Sequence, residues 1–553
     1  MQGHFNTSSQ GYFNTSSKAG ARLRQLVLPL LIATALAGCD KPEAAAHASQ
    51  PAPDAPHSGG KLVVAIDTDP NCLDPQQVGN NNSLNIGRQL TDSLTDQDPA
   101  TGKIVPWLAT DWQVSDDNRR FTFTLREGVT FSDGTAFNAQ SVKDNLNAIV
   151  AMGARASLAS TYLKGLTQVE TPDPQHVTIV FAQPNAQFLQ ATSTMSLGFF
   201  ADKTVKATPE ARCQGNLVGT GPFVLSTFVH NQKVDIARRT GYKWPSSLAK
   251  HQGDSYLDGI EYRVIPESGV RFGSLVSGQL DLNAGVTPQD EPLILAKKLP
   301  IIARSNPGLV YSLYPNQSKP LMGDKIVRQA LNLAIDRAAL QPILSRYQSP
   351  ASSVLAKTTP LYQDLGSELK YDPQAAETLL QNSGWITGPD GVRVKEGKRL
   401  SFTLTYWQSA PFIELVQQQL KKVGIDMQLN KAPIGQVIAL QSSGAQEAEF
   451  YNLTRSDADV LRTVFDAGPN GRNVNKRAVG QVDTYLQQSS QTLDNVKRQQ
   501  LITDAAKGLI ADGDAVPLVE LATVIATGSN VHGFRYDASS RFQLYDTWLS
   551  PKS

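Results

Sequence analysis

Residues 103–142 read KIVPWLATDWQVSDDNRRFTFTLREGVTFSDGTAFNAQSV, and this stretch sets the architecture of the chain. Within it, Phe121-Thr-Phe-Thr-Leu125 alternates apolar and polar residues strictly, which is the period of a strand with one buried face. Ser132-Asp133-Gly134 is a turn, with glycine available for a positive φ. Asn138 is placed to cap a helix that runs to Val150.

Strands and helices continue to mix on either side. Lys61-Leu-Val-Val-Ala-Ile66 is a β-branched apolar run stopped by Asp67-Thr-Asp-Pro70, a buried first strand followed by the turn-rich DPNCLDPQ. The spacing of Leu84, Ile86, Leu90 and Leu94 predicts a helix over residues 85–94. Residues 176–181 alternate again, and residues 264–282 pass from strand through turn to helix. Residues 327–338, 374–381 and 411–422 read as helices and 402–406 as a strand. This irregular mixture predicts an α/β or α+β protein of several lobes.

The N-terminus reads differently. Arg22 and Arg24 precede an apolar run from Leu26 to Ala37 that ends in Leu36-Ala37-Gly38-Cys39. A basic flank, a short apolar stretch and small residues before a cut site make a secretory signal. About a dozen apolar residues fall short of the ~20 that span a bilayer core. LAGC resembles the bacterial lipobox, which implies that Cys39 is acylated and anchors the chain to a membrane on the periplasmic or cell-surface side. An ordinary signal with a chance Cys is the alternative. FNTSS occurs at Phe5 and again at Phe13, too short a pair to build a repeat fold, so residues 1–38 read as leader and signal. Residues 39–60, rich in Ala, Pro, Ser and His, read as a flexible tether in which His47 and His57 are solvated.

Roughly 500 residues remain, too many for one core, so two or three domains are expected. Lys and Arg number 51 against 50 Asp and Glu, with no basic run, which argues against a nucleic-acid partner. No later apolar segment reaches membrane-span length. If Cys39 carries lipid, Cys72 and Cys213 remain. They form either a disulfide, worth ~3–5 kcal/mol for so long a loop, or two separately buried thiols.

Residues 103–142 resemble the signature region of the family 5 extracellular solute-binding proteins, the peptide, nickel and related binding components of ABC importers. The resemblance continues in the family's order with LDP at Leu73, GTGPF at Gly219, SGQLDL at Ser277, DKIVRQALNLAIDR at Asp324, YDPQAAETLLQNSGW at Tyr371 and QQQLKKVGIDMQL at Gln418. It implies an α/β, three-domain, two-lobe clamshell of the type II periplasmic binding protein kind. The first lobe would comprise residues 61–97, 216–313 and 516–553, with an accessory domain over 98–215. Residues 314–515 would form the second lobe. The resemblance also implies permease and ATPase subunits as partners, a monomeric state and no cofactor.

The same resemblance places a cleft wall in FYNLTRSDADVLRTVF, beginning at Phe450. Peptide-binding members carry an acidic residue there for the ligand's ammonium group. Aligning Asp457 with the family's DPD puts Thr454 at that acidic position, and a hydroxyl does not balance a charge in a closed cleft. Arg455 beside it either pairs with a ligand carboxylate or phosphonate, or pairs with Asp457 or Asp459, or faces solvent. Asp69 and Asn71 after the first strand, Asn316 and Trp407 are further cleft candidates, with core packing as the alternative for Trp407. Gly219-Thr-Gly-Pro-Phe223 lacks the Lys and Ser/Thr of a phosphate loop and reads as a structural turn near the hinge. Arg328 and Asp336, eight apart, are expected on one helix face.

Neither a metalloprotease H-E-x-x-H nor a G-x-S-x-G elbow occurs, and the His residues are scattered, so no catalytic or metal-ligating set is assigned. The expectation is a binding protein, not an enzyme, that captures a small peptide or peptide-like solute, anionic on the Arg455 reading. A binder of nickel or a metal chelate is the alternative within the family, and a secreted hydrolase the alternative of another class.

Overall fold

A computed structural model describes residues 55–552 except 157, 408, 409, 469 and 470. The leader and signal, Cys39 and the tether up to residue 54, with His47, lie outside the described residues. The last tether residues pack on the first lobe instead of standing free. Gly59 and Gly60 donate to the Tyr256 carbonyl and the Asp258 carboxylate, and the His57 ring stands edge-on to Trp548 at 5.2 Å.

Residues 103–142 fold as their pattern dictates. Phe121 and Phe123 are fully buried and Leu125 nearly so, each contributing ~2 kcal/mol by leaving water. Thr122 on the other face bonds Thr178 of the neighbouring strand at 2.9 Å. This strand, Arg120–Leu125, lies in an antiparallel four-stranded sheet ordered Ala109–Val114, Arg120–Leu125, His176–Phe181, Leu166–Asp173. The helix Ala139–Met152 begins where Asn138 accepts from the Ser141 N–H and Ser141 Oγ accepts from the Asn138 N–H. These elements share the accessory core with Phe181, Phe188 and Phe199.

The first lobe is built on a seven-stranded mixed sheet in the order Ile301–Ser305, Ala522–Thr527, Leu282–Asn283, Lys61–Ile66, Gly259–Val264, Lys233–Arg238, Phe223–Val229. Lys61–Ile66 runs parallel to both its neighbours and buries Leu62, Val64 and Ile66 in the core, while Lys61 at its start pairs with Asp235 and Glu261. A disulfide joins Cys72, after this strand, to Cys213 at the end of the short helix Pro209–Cys213.

The second lobe holds a six-stranded sheet in the order Ser349–Pro350, Val516–Glu520, Gly308–Pro315, Ala448–Thr454, Ser401–Tyr406, Asp426–Lys431. The chain passes from first sheet to second through Asn306 and Pro307 and returns at Leu521. The Asn306 N–H donates to the Leu521 carbonyl at 2.8 Å, so the two crossings are bonded to each other. The expected boundaries at Tyr314 and Ala515 fall respectively inside and just ahead of second-sheet strands.

Three expectations shift. The helix read over residues 85–94 is Asn81–Leu90, capped by the Asn80 side chain on Ser83, and Thr91 is already extended. Gly219 and Gly221 press on the end of that helix, where a Cβ would come within 2.0 and 2.5 Å of Leu90 backbone atoms, so the turn serves packing against the helix. Arg328 and Asp336 do not share a helix, because Lys325–Ala334 ends between them. Arg328 donates instead to the Met322 and Asp512 carbonyls.

Candidate functional site

The strand Ala448–Thr454 delivers the loop that carries the expected cleft residues, and the short helix Val460–Phe465 follows it. Each carboxylate of that loop has its own arginine. Asp457 receives a bidentate pair from Arg498 at 2.5 and 3.1 Å, and Asp459 receives one from Arg462 at 2.7 and 2.9 Å. Burial pushes the Asp459 carboxyl up while the Arg462 charge pulls it down, and Asp459 in turn raises Arg462. Neither acid is left for Arg455.

Arg455 instead reaches across to the first lobe. It is 7 % exposed, and its fork donates to Tyr162 Oη at 2.8 Å and Thr161 Oγ1 at 2.9 Å. Its guanidinium carbon stands 4.5 Å over the Tyr162 ring. Both partners lie at the short helix Ala159–Tyr162 of the accessory domain. The Arg455 backbone N–H donates to the carbonyl of Pro307 in the crossing, so this residue is tied to both the hinge and the opposite lobe.

Ser456 continues the seam. Its hydroxyl accepts from Gln190 at 2.7 Å and lies 2.9 Å from Ser539 Oγ, and its carbonyl accepts from Gln97 at 3.3 Å. A cavity of about 280 Å³ adjoins it, lined by Gln97, Arg304, Lys357, Thr358, Ser456 and Ala538 from both lobes. A larger hollow of about 680 Å³ is lined wholly by second-lobe residues, among them Gln363, Asp364, Lys497 and Lys507, and so offers no purchase for lobe closure.

The other expected residues lie apart from this seam. Asp69 accepts from the Asn71 and Asn231 N–H groups and from His230, which fastens a hairpin turn to the loop after the first strand. Asn71 is exposed at φ +59°. Asn316 is buried, donating to the Gly444 and Gln446 carbonyls and accepting from Ser318. Trp407 is 39 % exposed beyond the strand Ser401–Tyr406, and is not a core residue. Thr454 ends its strand opposite Gly308. Tyr162, Thr161, Gln190 and Ser539 were not singled out from the sequence, where nothing in ASTYLKG or DASSR marks them.

Among the described residues, no group of three or more His, Cys, Asp or Glu is arranged to hold a metal ion. No helix among them is long and apolar enough to cross a membrane.

Residues 103–462 match the model of the bacterial extracellular solute-binding proteins, family 5. The glutathione-binding protein GsiB of Escherichia coli K12 is 28% identical over 514 residues, covering 88% of this chain and 94% of the relative. NikA from Brucella suis, solved with Fe(III)-EDTA, superposes with a TM-score of 0.76 at 22% identity, covering 89% of this chain and 100% of that one. The oligopeptide-binding protein AppA from Bacillus subtilis, solved with a nonapeptide, gives 0.74 at 21% identity, with 90% and 100% covered.

Proposed function

The chain belongs to the bacterial extracellular solute-binding proteins of family 5, the capture components of ABC importers, and we propose that this member holds a small peptide or peptide-like solute, anionic in character, between its lobes. The contact of Arg455 with Tyr162 carries this reading. It joins side chains of opposite lobes beside the hinge, and both hydrogen-bond partners of the Arg455 guanidinium among the described residues are uncharged hydroxyls. Capture then proceeds by hinge closure: a solute that contacts both lobes favours the closed form by its differential affinity, and the closed form docks on the permease. The chain supplies contacts and no covalent step. Export, lipid anchoring through Cys39 and a monomeric state belong to the same proposal.

Thr454 supports a solute whose recognition does not depend on an ammonium group. The relatives at 28% identity are named for glutathione, a tripeptide with two carboxylates, which puts glutathione first among solutes to try. The test is a thermal-shift screen of the full chain in detergent against glutathione, di- and tripeptides, opines, sugars and nickel chelates, with small-angle scattering on each hit. A stabilising solute that compacts the protein is expected. A hit confined to nickel chelates would move the cargo to the metal-chelate alternative, and hydrolysis of any hit would overturn the binding role.

A further inference from the structure

Arg541 closes the tight turn from Asp537. Its N–H donates to the Asp537 carboxylate at 2.8 Å, and its carbonyl accepts from the Asp537 N–H. The residue is 4 % exposed. Among the described residues, its guanidinium makes no hydrogen bond and has no carboxylate oxygen within 4.0 Å. Asp537, the acid whose field reaches it, is committed elsewhere: Oδ1 accepts from the Ser539 and Arg541 N–H groups, and Oδ2 lies 3.7 Å from Arg88 Nε. Burial holds the Arg541 guanidinium below its ordinary range; Asp537 and then Tyr162 act the other way, and the like charge of Arg455 adds a smaller lowering.

A buried cation without an acidic partner costs stability, and protein interiors otherwise avoid one. Arg455, whose neighbour Ser456 touches Ser539 of the Arg541 turn at 2.9 Å, is in a similar state, since both its hydrogen-bond partners are uncharged hydroxyls. Those hydroxyls differ. Thr161 Oγ1 donates onward to the Leu158 carbonyl at 2.6 Å, whereas the Tyr162 hydroxyl proton has no acceptor among the described residues. The seam therefore gathers two guanidinium groups and one free O–H donor, and its acid, Asp537, is turned to backbone N–H groups and to Arg88.

We propose that Arg541, with Arg455 and the Tyr162 hydroxyl, forms the subsite that receives a carboxylate of the captured solute; this rests on the solute-capture reading above. A carboxylate offers two oxygens in one plane, which suits the planar guanidinium fork. Arg541 belongs to the first lobe and Arg455 to the second. Their like charges oppose closure, and an anion between them converts that repulsion into attraction on both sides. The subsite thus selects for charge and couples binding to lobe closure in one step.

The test uses the full chain in detergent, with Arg541→Leu and Arg541→Lys beside wild type. Calorimetry compares glutathione and simple tripeptides with derivatives in which each carboxylate in turn is an amide. For wild type, amidation of the recognised carboxylate is expected to weaken binding about 10- to 100-fold. In Arg541→Leu, acid and amide bind alike, and Arg541→Lys falls between. Without solute, Arg541→Leu melts at or slightly above wild type, by about 1–3 °C, because an unpaired buried charge is gone. A fall in melting temperature of the Leu variant, or retained acid-over-amide preference in it, overturns the subsite. Equal binding of acids and amides by wild type overturns the subsite and leaves capture standing. Failure of every acid, amide and screened solute to bind wild type overturns the capture reading, and the subsite with it.

Discussion

Arg455 lays its guanidinium 4.5 Å over the ring of Tyr162 and donates to its hydroxyl at 2.8 Å, although the two residues are 293 positions apart. The arginine comes from the loop after a second-lobe strand and the tyrosine from a one-turn accessory helix. Their contact joins the two lobes directly. Arg455→Ala is expected to weaken an acidic solute by about 1.5–3 kcal/mol, and Tyr162→Phe by about 1–2 kcal/mol. The double variant should fall short of the sum, because the residues share one network. Calorimetry on the four proteins measures this, and strict additivity would separate the two residues functionally.

Gly308 sits where the crossing meets this loop. Its φ is +106°, and a Cβ there would stand 2.2 Å from the Leu453 oxygen and 2.6 Å from the Arg455 nitrogen. Gly308→Ala therefore has to move the strand that presents Arg455. The expected result is a stability loss of about 2–4 kcal/mol together with weaker solute binding. Chemical denaturation and calorimetry read the two effects; a variant with native stability would show that the crossing is slack.

The Cys72–Cys213 bond closes a sequence separation of 141 residues. Replacing both cysteines with serine should cost about 3–5 kcal/mol through the freedom regained by the unfolded chain. Reductant should lower the melting temperature of wild type by the same amount as the substitutions and leave the double variant unchanged. If reductant has no effect on wild type, the two sulfurs are separate thiols in solution.

Asp92 gives a pH dependence with a definite sign. It is fully buried, receiving Tyr242 Oη at 3.2 Å and Trp244 Nε1 at 3.1 Å, and burial raises its carboxyl to about 7 despite the Arg88 and Arg239 charges. The folded value lies above that of an unfolded Asp, near 4, so the folded chain holds this proton more tightly. The contribution to stability is full below pH ~4 and is lost as pH rises through about 7. Asp92→Asn lacks that loss. Between pH 5 and pH 8 the stability of wild type relative to the variant should fall by roughly 2–3 kcal/mol, as measured by denaturant midpoints. A constant difference across that range would contradict the assignment.

Cys39→Ser should release the chain from membranes into the soluble fraction, and mass spectrometry of the wild-type N-terminal peptide should show an acylated cysteine. An unmodified peptide starting elsewhere would return the LAGC motif to an ordinary signal.

Much of this fold is legible because its elements obey simple periods. FTFTL alternates and buries each second residue, and Asn138 caps its helix as its side chain permits. The helix Asn81–Leu90 starts ahead of the expected 85–94 because its inner face is partly polar: Asn85, Arg88 and Gln89 are buried, with Gln89 bonding Phe542 and Leu544 of the distant tail. Apolar spacing cannot register such a face. The site was legible by halves. Arg455 was visible as a cation standing near an expected acid, whereas Tyr162 and Arg541 reach it only through the tertiary fold. Asp459 pairs with Arg462 three residues on, a local spacing, whereas Asp457 is taken by Arg498 from a distant helix, which no local pattern announces.

The strand Ala522–Thr527 lies between Ile301–Ser305 and Leu282–Asn283 in the first sheet, so an interior row of that sheet comes from the end of the chain. The sheet of the first lobe is consequently incomplete until residues 522–527 have been made. Until then Leu282–Asn283 and Ile301–Ser305 lack the strand that lies between them. Connectivity alone thus keeps the first lobe pliable until this strand is in place.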